Sequence, residues 1–278
     1  MTRKRRRIVV AVDTSAGSRA ALRLAAVLAR RLDAELTGLF VQDQNLIHLA
    51  SLPFARELSA SAGVRRALSA EIMERELARQ ARSLEQELEK VAMALDIRWT
   101  FQTRRGRVIP EILAASIEHE LLALGRTGMR LGHRRLGSTA RRLLAEAGLP
   151  ILLIGSVPSP VERVMAVFDS SPSSEQALRR ALELTPEEQS LHVLVWAEKR
   201  ADLASLESRL ARLAGGRALE IYLRVGGGGR ELIDWVSRIG PTMLVVGQLG
   251  QLEPAALEAL AERLDGAVLR IREPAAGA

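Results

Sequence analysis

Cysteine is absent from all 278 residues, which removes disulfides, thiolate zinc sites and cysteine nucleophiles from consideration. Histidine is almost as scarce, and His48, His119, His133 and His192 lack the short spacing of metal ligands. Aromatic residues make up 3% of the chain, too few for the stacking platforms on which single-stranded nucleic acid binds. No apolar run approaches the ~20 residues that a membrane helix needs. The basic start is followed by an apolar run over residues 8–12 only, short of the roughly 7–15 residues of a secretory signal. The cytoplasm is therefore the expected location. Positive charge is in excess, with a net +7, but most of the arginine alternates with glutamate on helical faces, the pattern of a solvated surface. The cluster Arg3, Lys4, Arg5, Arg6, Arg7 reads as a tail, so neither nucleic acid nor a membrane is an expected partner.

What is present describes a globular chain, 47% hydrophobic and 26% charged, and its length at ~100–200 residues per domain suggests two domains. The stretch 121–155 organises it. Leu121, Leu122, Ala123 and Leu124 form a short apolar strand, followed by a turn through Gly125 and Gly128, a basic loop, and Gly137, Ser138, Thr139. A helix over 140–147 is expected to stop at Gly148, before Leu149, Pro150 and an apolar strand over 151–154. Glycines let a backbone approach a bulky anion, and the free N–H groups and dipole at a helix start favour phosphate. A nucleotide phosphate is the first candidate ligand. Equally open is a structural account in which Gly125 and Gly128 serve a tight turn and Ser138 is an N-cap.

Before this stretch, Ile8 to Val12 reads as a strand buried on both faces and ending at Asp13, a polar turn over 14–18 follows, and apolar residues recur at helical spacing through Leu32. A second strand spans 36–41. Residues 42–61 read as irregular, with Pro53 interrupting them. A long helix starting near Val64 carries the seam Leu77, Ala81, Leu84, Leu88, Val91, Leu95. Residues 97–103 alternate as a strand, Gly106 allows the turn, and Pro110 opens a helix. Alternating strands and helices call for a parallel sheet with right-handed crossovers and a ligand beyond the carboxyl ends of its strands, where Asp13, Val41, Gly106 and Gly125 fall.

Beyond Pro158 and Pro160, which suggest a linker, the order repeats. Strands over 164–168, 191–196, 219–225 and 243–246 match the first four strands, Asp169 matches Asp13, residues 226–229 take the turn of Gly106, and Gly247 matches Gly125. The chain is a tandem duplication, with domains over 1–157 and 158–278. The copies diverge after Gly250, where Gln251, Leu252, Glu253 and Pro254 carry no glycine and hydroxyl pair and Glu253 would repel an anion. Phosphate binding is expected in the first half only.

Two five-stranded units, each opening on an apolar strand that ends in Asp and the first closing with Gly125, Arg126, Thr127, Gly128 and then Gly137, Ser138, Thr139, resemble the universal stress protein family in its tandem form. The family's ATP loop has two glycines, a nine-residue spacer and a glycine followed by Ser or Thr; here the spacer holds eight residues. The resemblance implies two Rossmann-like α/β domains, each a five-stranded parallel sheet flanked by helices. It also implies a stress-response regulatory protein that binds ATP, with or without magnesium. Asp13 would sit at the adenosine, Val41 would offer backbone contacts to the base, Gly125 and Gly128 would lie against ribose and phosphate, and Gly137, Ser138 and Thr139 would hold the phosphates. From position alone, Arg126 and Arg130 are added as counter-charges. Structural roles stay open for Asp13 as a brace of its turn, for Ser138 as a cap, and for Asp169.

Enzymatic alternatives lack their residues. An ATP-pyrophosphatase needs a Ser-Gly-Gly loop where Thr14, Ser15 and Ala16 stand. A dinucleotide-binding dehydrogenase needs three spaced glycines where only Gly17 stands. A receiver domain needs an acceptor Asp near Thr103 and Arg104. No nucleophile, base and orienting acid assemble, so catalysis is not expected and no metal site is assigned. The remaining alternative is an interaction protein that uses the fold without nucleotide. The protein partner is unspecified and a homodimer stays open.

Overall fold

The computed structural model describes residues 5–52, 56–58, 65–67, 69–126, 135–155, 161–248 and 254–272. The first half begins with β1 (Arg7–Val12), α1 (Ala16–Arg31) and β2 (Glu35–Asp43). Val9 and Val10 are fully buried, as a central strand covered on both faces requires. The segment expected to be irregular is ordered in part. α2 (Gln44–Ala50) follows β2 directly, because the Asp43 carboxylate accepts the Asn45 N–H at 2.9 Å and caps it. A short hairpin follows, β3 (Arg56–Leu58) with β4 (Arg65–Ala67). The long helix α3 (Ala70–Leu95) therefore starts later than Val64. Ser69 caps it through Ile72 N–H, and it ends where Asp96 turns left-handed at φ 51°. Of the expected seam, Leu77, Ala81, Leu84 and Leu88 are buried.

β5 (Trp99–Gly106) and α4 (Val108–Ser116) come next, and Pro110 sits in the first turn of α4, where its missing N–H costs nothing. β6 (Leu121–Gly125), α5 (Ser138–Glu146) and β7 (Ile151–Ile154) complete the half. α5 ends because Ala147 is extended, and the glycine expected to stop it, Gly148, has no positive φ. The second half contributes β8 (Val164–Phe168), α6 (Pro172–Leu184), β9 (Leu191–Ala197), α7 (Leu203–Ala214) and β10 (Leu219–Val225). It continues with α8 (Gly229–Ile239), β11 (Met243–Val246), α9 (Pro254–Arg263) and β12 (Ala267–Arg270).

All strands except the hairpin lie in one sheet of ten, in the order β10-β9-β8-β11-β12-β7-β6-β1-β2-β5. Each half supplies five parallel strands in the same order, and the halves join where β12 runs antiparallel to β7. Side-chain alternation in these strands feeds two apolar layers. One holds Val10, Leu36, Leu152, Val193 and Leu269 under α1, α3, α6 and α7. The other holds Val9, Leu122, Leu153, Val167 and Val268 under α4, α5, α8 and α9. Both layers run through the two halves without interruption. Among the described residues, no helix is long and apolar enough to cross a membrane.

Candidate functional site

The corner after β1 is built from short polar side chains. The Asp13 carboxylate accepts the Ser15 N–H at 2.8 Å, the Asp13 N–H donates to Ser18 Oγ at 2.7 Å, and the Ser18 N–H donates to Ser15 Oγ at 3.1 Å. Asp13 thus braces its own turn and stays exposed. The second half repeats the arrangement: Asp169 accepts the Ser171 N–H at 2.9 Å, and Ser174 and Ser171 make the corresponding bonds. A shared local hydrogen-bond pattern explains why an Asp ends both first strands without reference to a ligand.

Gly125, at the end of β6, lies against the first turn of α1. A Cβ there would come within 2.7 Å of the Gly17 carbonyl carbon. Gly247 stands equally close to Ser173, 2.5 Å from a built Cβ to its carbonyl carbon. The first glycine of each loop is thus required by helix–strand contact. The copies part at the residue on the other side. Ser173 ties the second corner to the end of β11, its Oγ donating to the Gln248 carbonyl and accepting the Gln248 N–H, each at 3.0 Å. Gly17 stands there in the first half and has no side chain to do so.

The other wall is the start of α5. The Gly137 N–H donates to the Arg126 carbonyl at 2.8 Å and draws the helix start to the end of β6. Gly137 is the N-cap, and among the described residues no side chain caps it. Ser138, expected as a phosphate ligand or as the cap, is the first helical residue and does not cap α5; it is exposed and Thr139 half-buried. Val41 is half-buried, one residue past the last β1 pair, Val12 with Phe40. The Glu35 N–H points to Arg6 and the Leu36 N–H to Arg98, so odd-numbered residues of β2, Val41 among them, direct their backbone groups to the β1 side. The structure thus brings Asp13, Val41, Gly125, Gly137, Ser138 and Thr139 to one end of the sheet. Gly128 and Arg130 lie outside the described residues, as do residues 251–253.

Arg126 behaves differently from its expected role as counter-charge. It is buried, and its guanidinium donates to the carbonyls of Ala261 and Leu264 at the end of α9. The same helix supplies an acidic side chain: Glu262 accepts the Leu136 N–H at 2.9 Å, next to Gly137. Arg141 offsets that charge, with Nε 2.7 Å from Glu258 and Nη2 3.8 Å from Glu262. Sequence reasoning missed Gly17, Ser173 and Glu262. The first two were findable by aligning the corners after Asp13 and Asp169; nothing local to Glu262 signals its partner 126 residues away.

A parallel α/β sheet with a glycine at the end of β6 and a helix start beyond its strand ends belongs to the Rossmann-like fold class. Residues 4–155 match the model of the universal stress protein family, and the chain belongs to that family. A solved universal stress protein from Archaeoglobus fulgidus is 17% identical with a TM-score of 0.71, covering 97% of this chain and 99% of its own. A functionally unknown protein from Pseudomonas aeruginosa matches at 14% identity and TM-score 0.58, over 98% of this chain and 94% of its own. The cytoplasmic domain of a prokaryotic cation chloride cotransporter matches at 10% identity and TM-score 0.56, over 98% of each chain. At these identities the likeness is one of fold. No curated protein matches the sequence.

Proposed function

We propose that this chain is a stress-response regulatory protein that binds ATP, or a related adenine nucleotide, in its first half. Family membership supports the stress-response role. The observation that carries the nucleotide is the contrast between the two corners: the first has Gly17 beside Gly125 and a helix start that no described side chain caps, while in the second Ser173 is bonded to the Gln248 backbone. Such a helix start, with its dipole and backbone donors, suits phosphate. The adenosine would lie towards Asp13 and Val41, and the phosphates towards Gly137, Ser138 and Thr139, with Gly128 completing the loop. Magnesium, where it takes part, would arrive on the phosphates, since among the described residues no group of three His, Asp or Glu side chains could hold it. The role proposed is binding and signalling, not catalysis.

Titration calorimetry with ATP and magnesium tests this, and one site per chain is expected. Ser138→Ala should weaken binding by roughly 1–3 kcal/mol through loss of one hydrogen bond to a charged group, with little change in melting temperature because Ser138 caps nothing. Gly17→Ser, which copies Ser173 of the second half and its bonds to the neighbouring loop, should weaken binding further. Two sites per chain would defeat the asymmetry. No binding at all would leave an interaction protein that uses the fold without nucleotide.

A further inference from the structure

Among the described residues, no element covers the β10 edge of the sheet in the second half. In the first half the edge strand β5 is covered, with Trp99 and Phe101 packed into the core layer that the long helix α3 shares. The corresponding helix of the second half, α7, has 12 residues against the 26 of α3. On β10, Ile221, Leu223 and Val225 are consequently exposed, at 43%, 47% and 40%. Edge strands are normally blunted by charged side chains, especially lysine, by proline or by a bulge; the charges of β10, Glu220 and Arg224, alternate with apolar residues and leave its odd face apolar. β10 reads LEIYLRV, and all of its residues pair one to one with β9. Its free backbone groups can be assigned: the Ala218 carbonyl and the Gly226 N–H bond to β9, so the even residues face β9 and Leu219, Ile221, Leu223 and Val225 present N–H and C=O outward.

We propose that β10 is a self-association edge, at which a second copy of this chain adds its own β10 antiparallel about a twofold axis at Tyr222. In this register the outward residues form the hydrogen-bonded pairs, Ile221 against Leu223 and Leu219 against Val225 of the second copy, as antiparallel geometry demands. Apolar side chains then meet across the axis on the α7 face. On the other face Glu220 stands opposite Arg224 of the second copy, and Arg224 opposite its Glu220. Both side chains reach solvent, at 54% and 35% exposure, and opposite charges directly across an antiparallel pair stabilise it. Neighbouring registers lose this match: an axis at Ile221 sets Arg224 against Ala218, and one at Leu223 sets Glu220 against Gly226. The strand is therefore complementary to itself in one register, which is what a twofold interface requires.

Sedimentation of the full chain should show a reversible monomer–dimer equilibrium. Hydrogen exchange at rising concentration should protect the amides of Ile221, Leu223 and Val225. Ile221→Lys should remain folded by circular dichroism and sediment as a monomer. Glu220→Arg and Arg224→Glu should each self-associate poorly through like charges, yet an equimolar mixture should form the heterodimer, in which every cross-strand pair is again opposite in sign, about tenfold or more tightly than either alone. That rescue cannot come from misfolding of either variant. A wild-type chain that stays monomeric at all accessible concentrations, an Ile221→Lys chain that dimerises like the wild type, or a mixture without rescue would each overturn the assignment.

Discussion

Glycine at three positions of this chain does three different things. At Gly125 the missing Cβ permits contact between β6 and the first turn of α1, with backbone atoms 2.7 Å from where that Cβ would lie. Gly125→Ala should therefore cost about 1–3 kcal/mol as overpacking against atoms that cannot rotate away. Gly148 has nothing within 4 Å of its built Cβ and no positive φ, so Gly148→Ala should stabilise by about 0.4–1 kcal/mol through the unfolded state. Urea unfolding of the two variants measures both. Gly17, buried in the first turn of α1, has no side chain where the second half carries Ser173. His119 supplies a pH dependence of defined sign. Its Nδ1 lies 2.8 Å from the Ala115 carbonyl and must carry the proton, so Nε2, 3.1 Å from Thr37 Oγ1, accepts. Burial, the largest cause, lowers its pKa below the ordinary value of 6.5. The unfolded chain then binds the proton first. The stability due to neutral His119 is complete above pH ~6.5 and is lost as pH falls from there towards the lower folded pKa. Unfolding midpoints should decline over that window, and His119→Gln should remove part of the decline; a variant with the full wild-type slope would refute the assignment.

At the scale of elements, arginines from each half hold helix ends of the other. Arg126 reaches the end of α9, while Arg270 donates to the Leu144 carbonyl and Arg272 to those of Ala147 and Ala145 at the end of α5. Carbonyls in the last turn of a helix lack intrahelical donors, and a cation there also meets the negative end of the dipole. Arg126→Met should lower stability by about 1.5–3 kcal/mol, the range for hydrogen bonds to a charged group. Measured beside it, ATP affinity should change little, because the guanidinium is committed to α9. A large loss of affinity with stability unchanged would return Arg126 to the role of counter-charge.

At the scale of the whole molecule, the β7–β12 pairing makes two repeats into one sheet. Leu152 and Leu153 of β7 and Val268 and Leu269 of β12 are at most 1% exposed, so neither half can leave the other without baring the centre of both apolar layers. Scanning calorimetry should therefore show a single transition with no separate melting of residues 158–278; two resolved transitions would mean that the join is weak. Ligand and partner edge would then sit on one cooperative body.

The sequence by itself determined the strands and their repeated order, because central strands are continuous apolar runs, edge strands alternate, and both patterns recur in sequence. The strands over 151–154, 164–168, 219–225 and 243–246 have the limits their apolar patterns predict. The end of the sheet that gathers Asp13, Gly125 and Gly137 was legible for the same reason, since topology carries carboxyl ends of parallel strands to one side. Only the tertiary structure decided that Gly125 faces α1, that Arg126 bonds to α9 over a separation of 135 residues, that Ser173 bonds to the Gln248 backbone and that, among the described residues, α7 leaves Ile221, Leu223 and Val225 of β10 exposed. Periodicity records which face of an element is buried. It does not record which distant neighbour buries it, and these decisions are all about neighbours.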